Sequence, residues 1–266
     1  MINYDDEIQV AEARQYSVVK HNKLIQKVSK RKYELSLLEQ KLLCYIISMV
    51  KPPENQTSNP VYRYELDIRL FCRVCGIDYN SGTNYENVRN ALKKLADNSF
   101  WITDGEDELL FQWITTPRIK KGTGKIIINI SPDTMPYLFG MSQFFTQYEL
   151  HRILALKSSY SIALYELFRS WANQKKLILT IDELKIYLGI GEKYREYKAL
   201  RRKIIEPAID EINKFTDLMI MWKPMKKGRS YYAIEFIIKE KRKTLDEIAY
   251  RRTIDELNKN SKTVEE

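Results

Sequence analysis

Between Lys193 and Asn213, in KYREYKALRRKIIEPAIDEIN, the cations have the types and spacing to hold an anion. Arg195, Lys198 and Arg202 recur at three- and four-residue steps, which at about 100° per residue puts them on one side of a helix. Arg201 and Lys203 flank them. Tyr197, Leu200, Ile204, Ile205, Ala208, Ile209 and Ile212 form a different stripe, suited to a core. Guanidinium groups hold phosphate or present two parallel donors to guanine O6 and N7, so the chemistry on offer is nucleic-acid recognition. A charge run can equally be a solvated face. What decides between the two is the elements on either side.

Upstream, LTIDELKIYLGI (Leu179 to Ile190) predicts a strand end and then a short helix, capped by Thr180 and Glu183 and stopped by Gly189. Downstream, Asp217 to Lys223 and Tyr231 to Lys239 predict strands joined by PMKKGRS, where Lys226, Lys227 and Arg229 surround Gly228. Helix, turn, basic helix and hairpin with a basic tip is the order of a winged helix-turn-helix. One helix enters the major groove of DNA and the wing lies along the phosphates. Pro207 interrupts the presented helix by removing a backbone donor and disfavouring helical geometry at Glu206. Either the helix kinks there, or it breaks into a DNA-facing half and a core-facing half.

The first half of the chain repeats this plan. SLLEQKLLCYIISMV (Ser36 to Val50), with its capping box of Ser36 and Glu39, predicts a buried scaffold helix, and KPPENQTSNP a surface loop. Val61 to Ile77 predicts a strand and a helix closed by Gly76, and Thr83 to Ala96 a presented helix capped by Thr83 and Glu86. That helix buries Val88, Ala91, Leu92 and Leu95 and turns Asn87, Arg89, Asn90, Lys93 and Lys94 outward. Strands follow at Phe100 to Thr103, Leu109 to Pro117 and Lys125 to Ile130. RIKKGTGK (Arg118 to Lys125) is a hairpin tip carrying Lys120, Lys121 and Lys125. Setting Gly76 on Gly189 aligns Ile68 with Ile181, Phe71 with Leu184 and Cys75 with Leu188.

The expected fold is therefore α+β: two tandem winged helix-turn-helix domains related by a weak internal repeat. The expected division is a flexible N-terminal arm (1–17), a first domain (18–140), a second domain (141–240) and a charged C-terminal tail (241–266), with the break near Gly140 to Ser142. Val18 to Val28 could be a strand entering the fold. Ser131-Pro132 would start a short connecting helix, and Thr244 with Glu247 would cap a last polar one.

Among 266 residues, 44 basic and 35 acidic side chains leave a net charge of +9, which favours an anionic partner, nucleic acid or membrane surface. No apolar run is long enough to span a bilayer, and MINYDDEIQVAEA is too acidic for a signal peptide, so the cytosol is expected. Cys72 and Cys75 form a lone CxxC, far from His21 and His151. Cys75 shares a face with Ile68 and Phe71, which favours a core position over a zinc or redox site. No metal or cofactor is expected, and no enzyme. A rolling-circle nickase needs a histidine pair near its tyrosine, and GTGK has Ile119 and Ile126 where a phosphate loop needs glycine and Ser or Thr.

YSIALYELFRSW (Tyr160 to Trp171), LTIDELKIYLGI and YKALRRKIIEPAIDEINKFTDL (Tyr197 to Leu218) resemble the initiator proteins of iteron-containing bacterial plasmids. The resemblance continues through NKLIQ, SLLEQKLLCYII and YENVRNALKKLADNSFWI, covers roughly Val18 to Lys241, and includes Pro207. It implies binding to directly repeated origin sites as a monomer, duplex opening, and recruitment of a host initiator and replicative helicase. It also implies a dimer that represses its own promoter at an inverted repeat. The second domain would be the stronger base reader, and the first would add DNA contacts and the dimer surface. By that carry-over Arg195, Lys198, Arg201 and Arg202 would meet the major groove and adjacent phosphates, and Lys226, Lys227 and Arg229 the backbone. Arg89, Asn90 and Lys93 would serve the first domain, with Lys120, Lys121 and Lys125 on its wing. A transcriptional repressor of the same fold with no replication role is the alternative.

Overall fold

The computed structural model describes residues 4–26, 35–51, 62–77, 82–140 and 144–262. Most of the loop expected at 51–60, and two of the three residues at the expected domain break, lie outside them.

In the first domain α3 (Leu37–Ser48) opens on its capping box: the Glu39 N–H donates to Ser36 Oγ at 3.3 Å, and the Ser36 N–H to Glu39 Oε2 at 2.9 Å. Two donors that a helix start leaves unpaired are thereby satisfied. Leu42 to Ile47 are all buried, so core surrounds this helix. The chain continues through β2 (Tyr62–Asp67), α4 (Ile68–Cys75), α5 (Gly82–Asp97), β3 (Ser99–Asp104), β4 (Asp107–Gln112), β5 (Thr115–Lys120) and β6 (Lys125–Ile130). The second half of the chain runs α7 (Ser159–Ser170), β8 (Lys176–Thr180), α8 (Ile181–Tyr187), α9 (Tyr197–Leu200), a π turn (Arg201–Ile205), α10 (Glu206–Phe215), β9 (Leu218–Lys227) and β10 (Ser230–Glu240).

The internal repeat is visible in the sheets, ordered β2-β6-β5 and β8-β10-β9, each with its first strand beside its last. It is visible again where the short helices stop. The Ile77 N–H reaches Cys72 O at 2.8 Å and the Ile190 N–H reaches Lys185 O at 3.0 Å, over left-handed Gly76 and Gly189. Glycine adopts that backbone without the Cβ clash other residues would meet. Phe71, Cys75, Leu184 and Leu188 are buried as the alignment requires, while Ile181 is only half-buried. Cys72 and Cys75 are both core residues.

The two ends of the chain differ from expectation. Tyr4–Gln15 is a helix, α1, with Val10 and Ala13 buried. The Arg14 guanidinium donates to Val74 O and Arg73 O at 3.1 and 3.2 Å, placing a cation at the carbonyl end of α4. The sequence predicts an arm over 1–17 because an acidic, weakly amphipathic stretch hides the three positions that dock, Val10, Ala13 and Arg14. Lys243–Lys262 is likewise a packed helix, α11, burying Ala249, Thr253 and Leu257. Thr253 Oγ1 donates to Phe215 O at 3.0 Å, and a Cβ on Gly76 would lie 2.9 Å from Leu257 O. One helix thus touches both domains.

Three local expectations shift. A 3-10 turn at Met135–Tyr137 replaces a helix starting at Ser131, α5 begins at Gly82 ahead of Thr83, and α11 begins at Lys243 ahead of Thr244. β1 (Ser17–His21) pairs antiparallel with β7 (Phe145–Glu149), and α2 (Asn22–Gln26) follows β1 to pack on α7.

His151, on α6 (His151–Leu154), sits where α1, α6 and α11 meet. Its Nδ1 lies 3.3 Å from Arg14 O, its ring meets Tyr250 edge-on at 4.7 Å, and Nε2 has no partner among the described residues. Burial, helped by Arg152, lowers its pKa from 6.5 to about 4. The unfolded chain therefore binds a proton that the folded chain resists, and stability is lost as pH falls from about 6.5 toward 4. Wild-type Tm should fall between pH 6.5 and 5, ahead of most carboxylate titration, and His151→Gln should flatten that slope. Equal slopes in the two proteins would contradict this assignment.

Candidate nucleic-acid interface

The presented element of the second domain is helical from Tyr197 to Phe215, not from Lys193. Arg195 is consequently on the loop before α9, near a left-handed Tyr194, with its guanidinium 3.6 Å from Glu192. The three- and four-residue spacing that predicts a helical position for it does not apply outside the helix.

Pro207 neither breaks nor sharply interrupts the element. The Glu206 N–H donates to Arg201 O, five residues back, so the chain takes one wide turn immediately before the residue that has no N–H to offer. Glu206 itself keeps right-handed helical geometry. Leu200, Ile204, Ile205, Ala208, Ile209 and Ile212 are buried, as the stripe predicts. Tyr197 is half-buried at the edge of that core, its ring 4.4 Å from Tyr231 of the wing.

Of the cations read from the sequence, Lys198, Arg202 and Lys203 on the helix and Lys227 and Arg229 at the wing are exposed and, among the described residues, have no acidic partner. Lys198 and Arg202 stand opposite the buried Leu200 and Ile204, so they point away from the core. Lys226 lies 4.8 Å over the Tyr231 ring. Arg201 is different. Its Nε and Nη2 are both 2.7 Å from Glu206 Oε1, and its guanidinium lies 5.6 Å over Trp222. The Glu206 hydrogen bond holds Arg201 in its charged form beyond the ordinary range.

The first domain presents Asn87 and Asn90 on an exposed face of α5 with Arg89, Lys93 and Lys94, but its cations are mostly engaged. Arg89 meets Glu86 at 3.4 Å, Lys93 meets Asp97 at 2.6 Å and Lys94 meets Glu39 at 3.0 Å. On the wing Lys120 and Lys125 both bind Glu65, at 2.6 and 2.7 Å, leaving Lys121 without an acidic partner among the described residues. The two lysines pull the Glu65 carboxyl down to about 2. The pairs of Arg89, Lys93, Lys120 and Lys125 are exposed and screened by solvent, so a phosphate could compete for these cations, whereas the partner of Lys94, Glu39, is buried. GTGK lies in this turn, as a wing and not a phosphate loop.

Sequence reasoning missed the wing aromatics. A register shift between Tyr231 and Ala233 places Tyr231 and Tyr232 in succession on exposed backbone, which strict alternation would forbid. The adjacent pair of tyrosines beside a basic tip was the available signal. Among the described residues no group of three or more His, Cys, Asp or Glu side chains could hold a metal, and no helix is long and apolar enough to cross a membrane.

Repeated sheet order, helix-turn-helix and two-stranded wing define a protein of two tandem winged-helix domains. The family model "Initiator Replication protein, WH1" matches residues 17–169 and "Initiator Rep protein, WH2" matches 180–238. The chain belongs to this initiator replication protein family. It is similar to a replication initiation protein of Escherichia coli, 21% identical over 197 residues that cover 71% of this chain and 61% of that protein. It is also similar to the PI protein of Escherichia coli, 30% identical over 173 residues, 56% of each. The chain thus spans less than two thirds of the curated relatives it matches.

Proposed function

We propose that the chain initiates plasmid replication in the bacterial cytoplasm by binding directly repeated origin sites, and that it binds without cleaving. The observation that carries the reading is the set of five cations that have no acidic partner among the described residues, Lys198, Arg202, Lys203, Lys227 and Arg229, on the helix and wing of a family WH2 domain. Guanidinium in the groove selects bases, and lysine on the wing adds affinity without selecting. Arg195 and Lys226 supplement these contacts. In the first domain Asn87, Asn90 and Lys121 are the readiest to meet DNA, Arg89, Lys93, Lys120 and Lys125 first exchange an exposed carboxylate for a phosphate, and Lys94 is held by the buried Glu39. Host initiator and helicase are the partners this role requires. The test is replication: a marker plasmid without another origin, carrying this gene and its flanking DNA, is maintained in a bacterial host. Loss of the plasmid together with a lone palindrome beside the gene would support a repressor instead.

For the dimer that would repress the gene, β3 and β4 supply a surface in the first domain. Trp101 and Leu110 are cross-strand partners, 61% and 46% exposed, on a hairpin that has no third strand among the described residues. Exposed apolar pairs on open strand edges favour self-association. Trp101→Glu with Leu110→Glu should yield monomers by sedimentation at concentrations where the wild type is dimeric. A dimer of unchanged affinity would exclude this hairpin.

A further inference from the structure

The basic helix of the second domain contains one arginine whose geometry sets it apart. In a regular helix residues five apart are about 140° from each other and cannot meet. Arg201 and Glu206 do meet, because the π turn from Arg201 to Ile205 lies between them and its hydrogen bond, Glu206 N–H to Arg201 O, joins the same two residues. Backbone and side chains therefore close one ring. On its outer side the Arg201 guanidinium covers Trp222 of β9, tying the turn to the sheet that carries the wing. Pro207 follows at once. It withholds the donor a regular α-turn would use, so the wide turn has a cause built into the chain.

We propose that Arg201 is a positioning residue and not a DNA contact: the Arg201–Glu206 clip, braced on Trp222, holds the π turn that aims Lys198 and Arg202. Lys198 stands before the turn and Arg202 within it, and the half after it, α10, is anchored in the core by Ala208, Ile209, Ile212 and Phe215. Any change in the turn displaces these two side chains relative to the anchored half. Specificity for bases would suffer before affinity for phosphate does, since phosphate contacts tolerate displacement that paired donors to one base edge do not. This inference rests on the proposed DNA-binding role.

The experiment is a charge swap in the full chain: Arg201→Glu, Glu206→Arg and the double variant. Binding is measured to a duplex enriched from a random pool by the wild type, and to random duplex. Glu206→Arg adds a cation, so an arginine acting by charge alone would gain affinity on all DNA. Positioning predicts the reverse: each single variant loses about tenfold in preference for the enriched duplex, and the double variant regains it to within about threefold. A double variant as unselective as Arg201→Glu, or Glu206→Arg with full preference, would overturn the proposal. A second readout needs no DNA. Amide exchange at Glu206 should be faster in both single variants and slow again in the double one, and unchanged exchange in the single variants would sink the clip. If the wild type itself prefers no duplex, the DNA-binding role fails, and the exchange result still decides the clip.

Discussion

Replacing Glu166 by alanine is expected to destabilise the folded chain by about 3 to 5 kcal/mol, the usual result of orphaning a buried charge. Glu166, on α7, and Lys20, on β1, are 4% and 2% exposed and form a hydrogen-bonded ion pair. Tyr148 on β7 donates its hydroxyl to the same carboxylate at 2.5 Å, and Cys44 on α3 lies 3.4 Å from both Tyr148 Oη and Lys20 Nζ. Burial alone would lower the Lys20 pKa, but Cys44 and Glu166 together raise it, so the ammonium stays charged. Four elements from both halves of the chain converge on these atoms, and removing the carboxylate leaves a buried ammonium without its counter-charge. Lys20→Met combined with Glu166→Leu should recover most of the loss, because an apolar pair of similar size carries no desolvation cost. Urea unfolding of the three proteins checks both statements. A single variant within about 1 kcal/mol of wild type, or a double variant no better than the single, would contradict them.

Arg202→Ala is expected to weaken binding to an enriched duplex by about 10- to 100-fold while changing random-duplex binding far less, the loss of one base-reading guanidinium being worth about 1 to 3 kcal/mol. Lys227→Ala should instead weaken all duplexes alike and reduce the slope of log K against log salt by about one unit, as one released counterion requires. The structure distinguishes the two positions. Arg202 projects opposite the buried face of a helix seated in a winged-helix domain, and Lys227 lies at the end of β9 beside a glycine turn. Gel-shift titrations across salt give both quantities from one series. Equal losses on both duplexes for Arg202→Ala would reduce it to a phosphate contact.

The architecture was legible in the sequence because its signals are local. Capping boxes at Ser36 and Thr180, Gly-Ile stops at Gly76 and Gly189, and glycine turns among lysines at both wings each specify a boundary, and all are present. What escaped depends on contacts between distant residues. Lys20 reads as a polar residue of a half-exposed strand until Glu166 is placed above it, although a single glutamate inside YSIALYELF was a hint of a buried partner. Arg201 and Arg202 are adjacent and chemically equal. Only the i+5 contact to Glu206 separates them, and helical spacing rules look at three and four. The docking of α1 and α11 hangs on a few small buried residues, Ala13, Ala249 and Thr253, in stretches otherwise dominated by charge.

Guanine methylation interference on the enriched duplex asks most directly whether the basic helix of the second domain reads bases in the major groove. Methyl groups at guanine N7, on the groove floor, should block the wild-type chain at defined guanines, and at least one of those positions should become indifferent in Arg202→Ala. Binding untouched by N7 methylation at every guanine, with wild-type and Arg202→Ala patterns the same, would contradict the account.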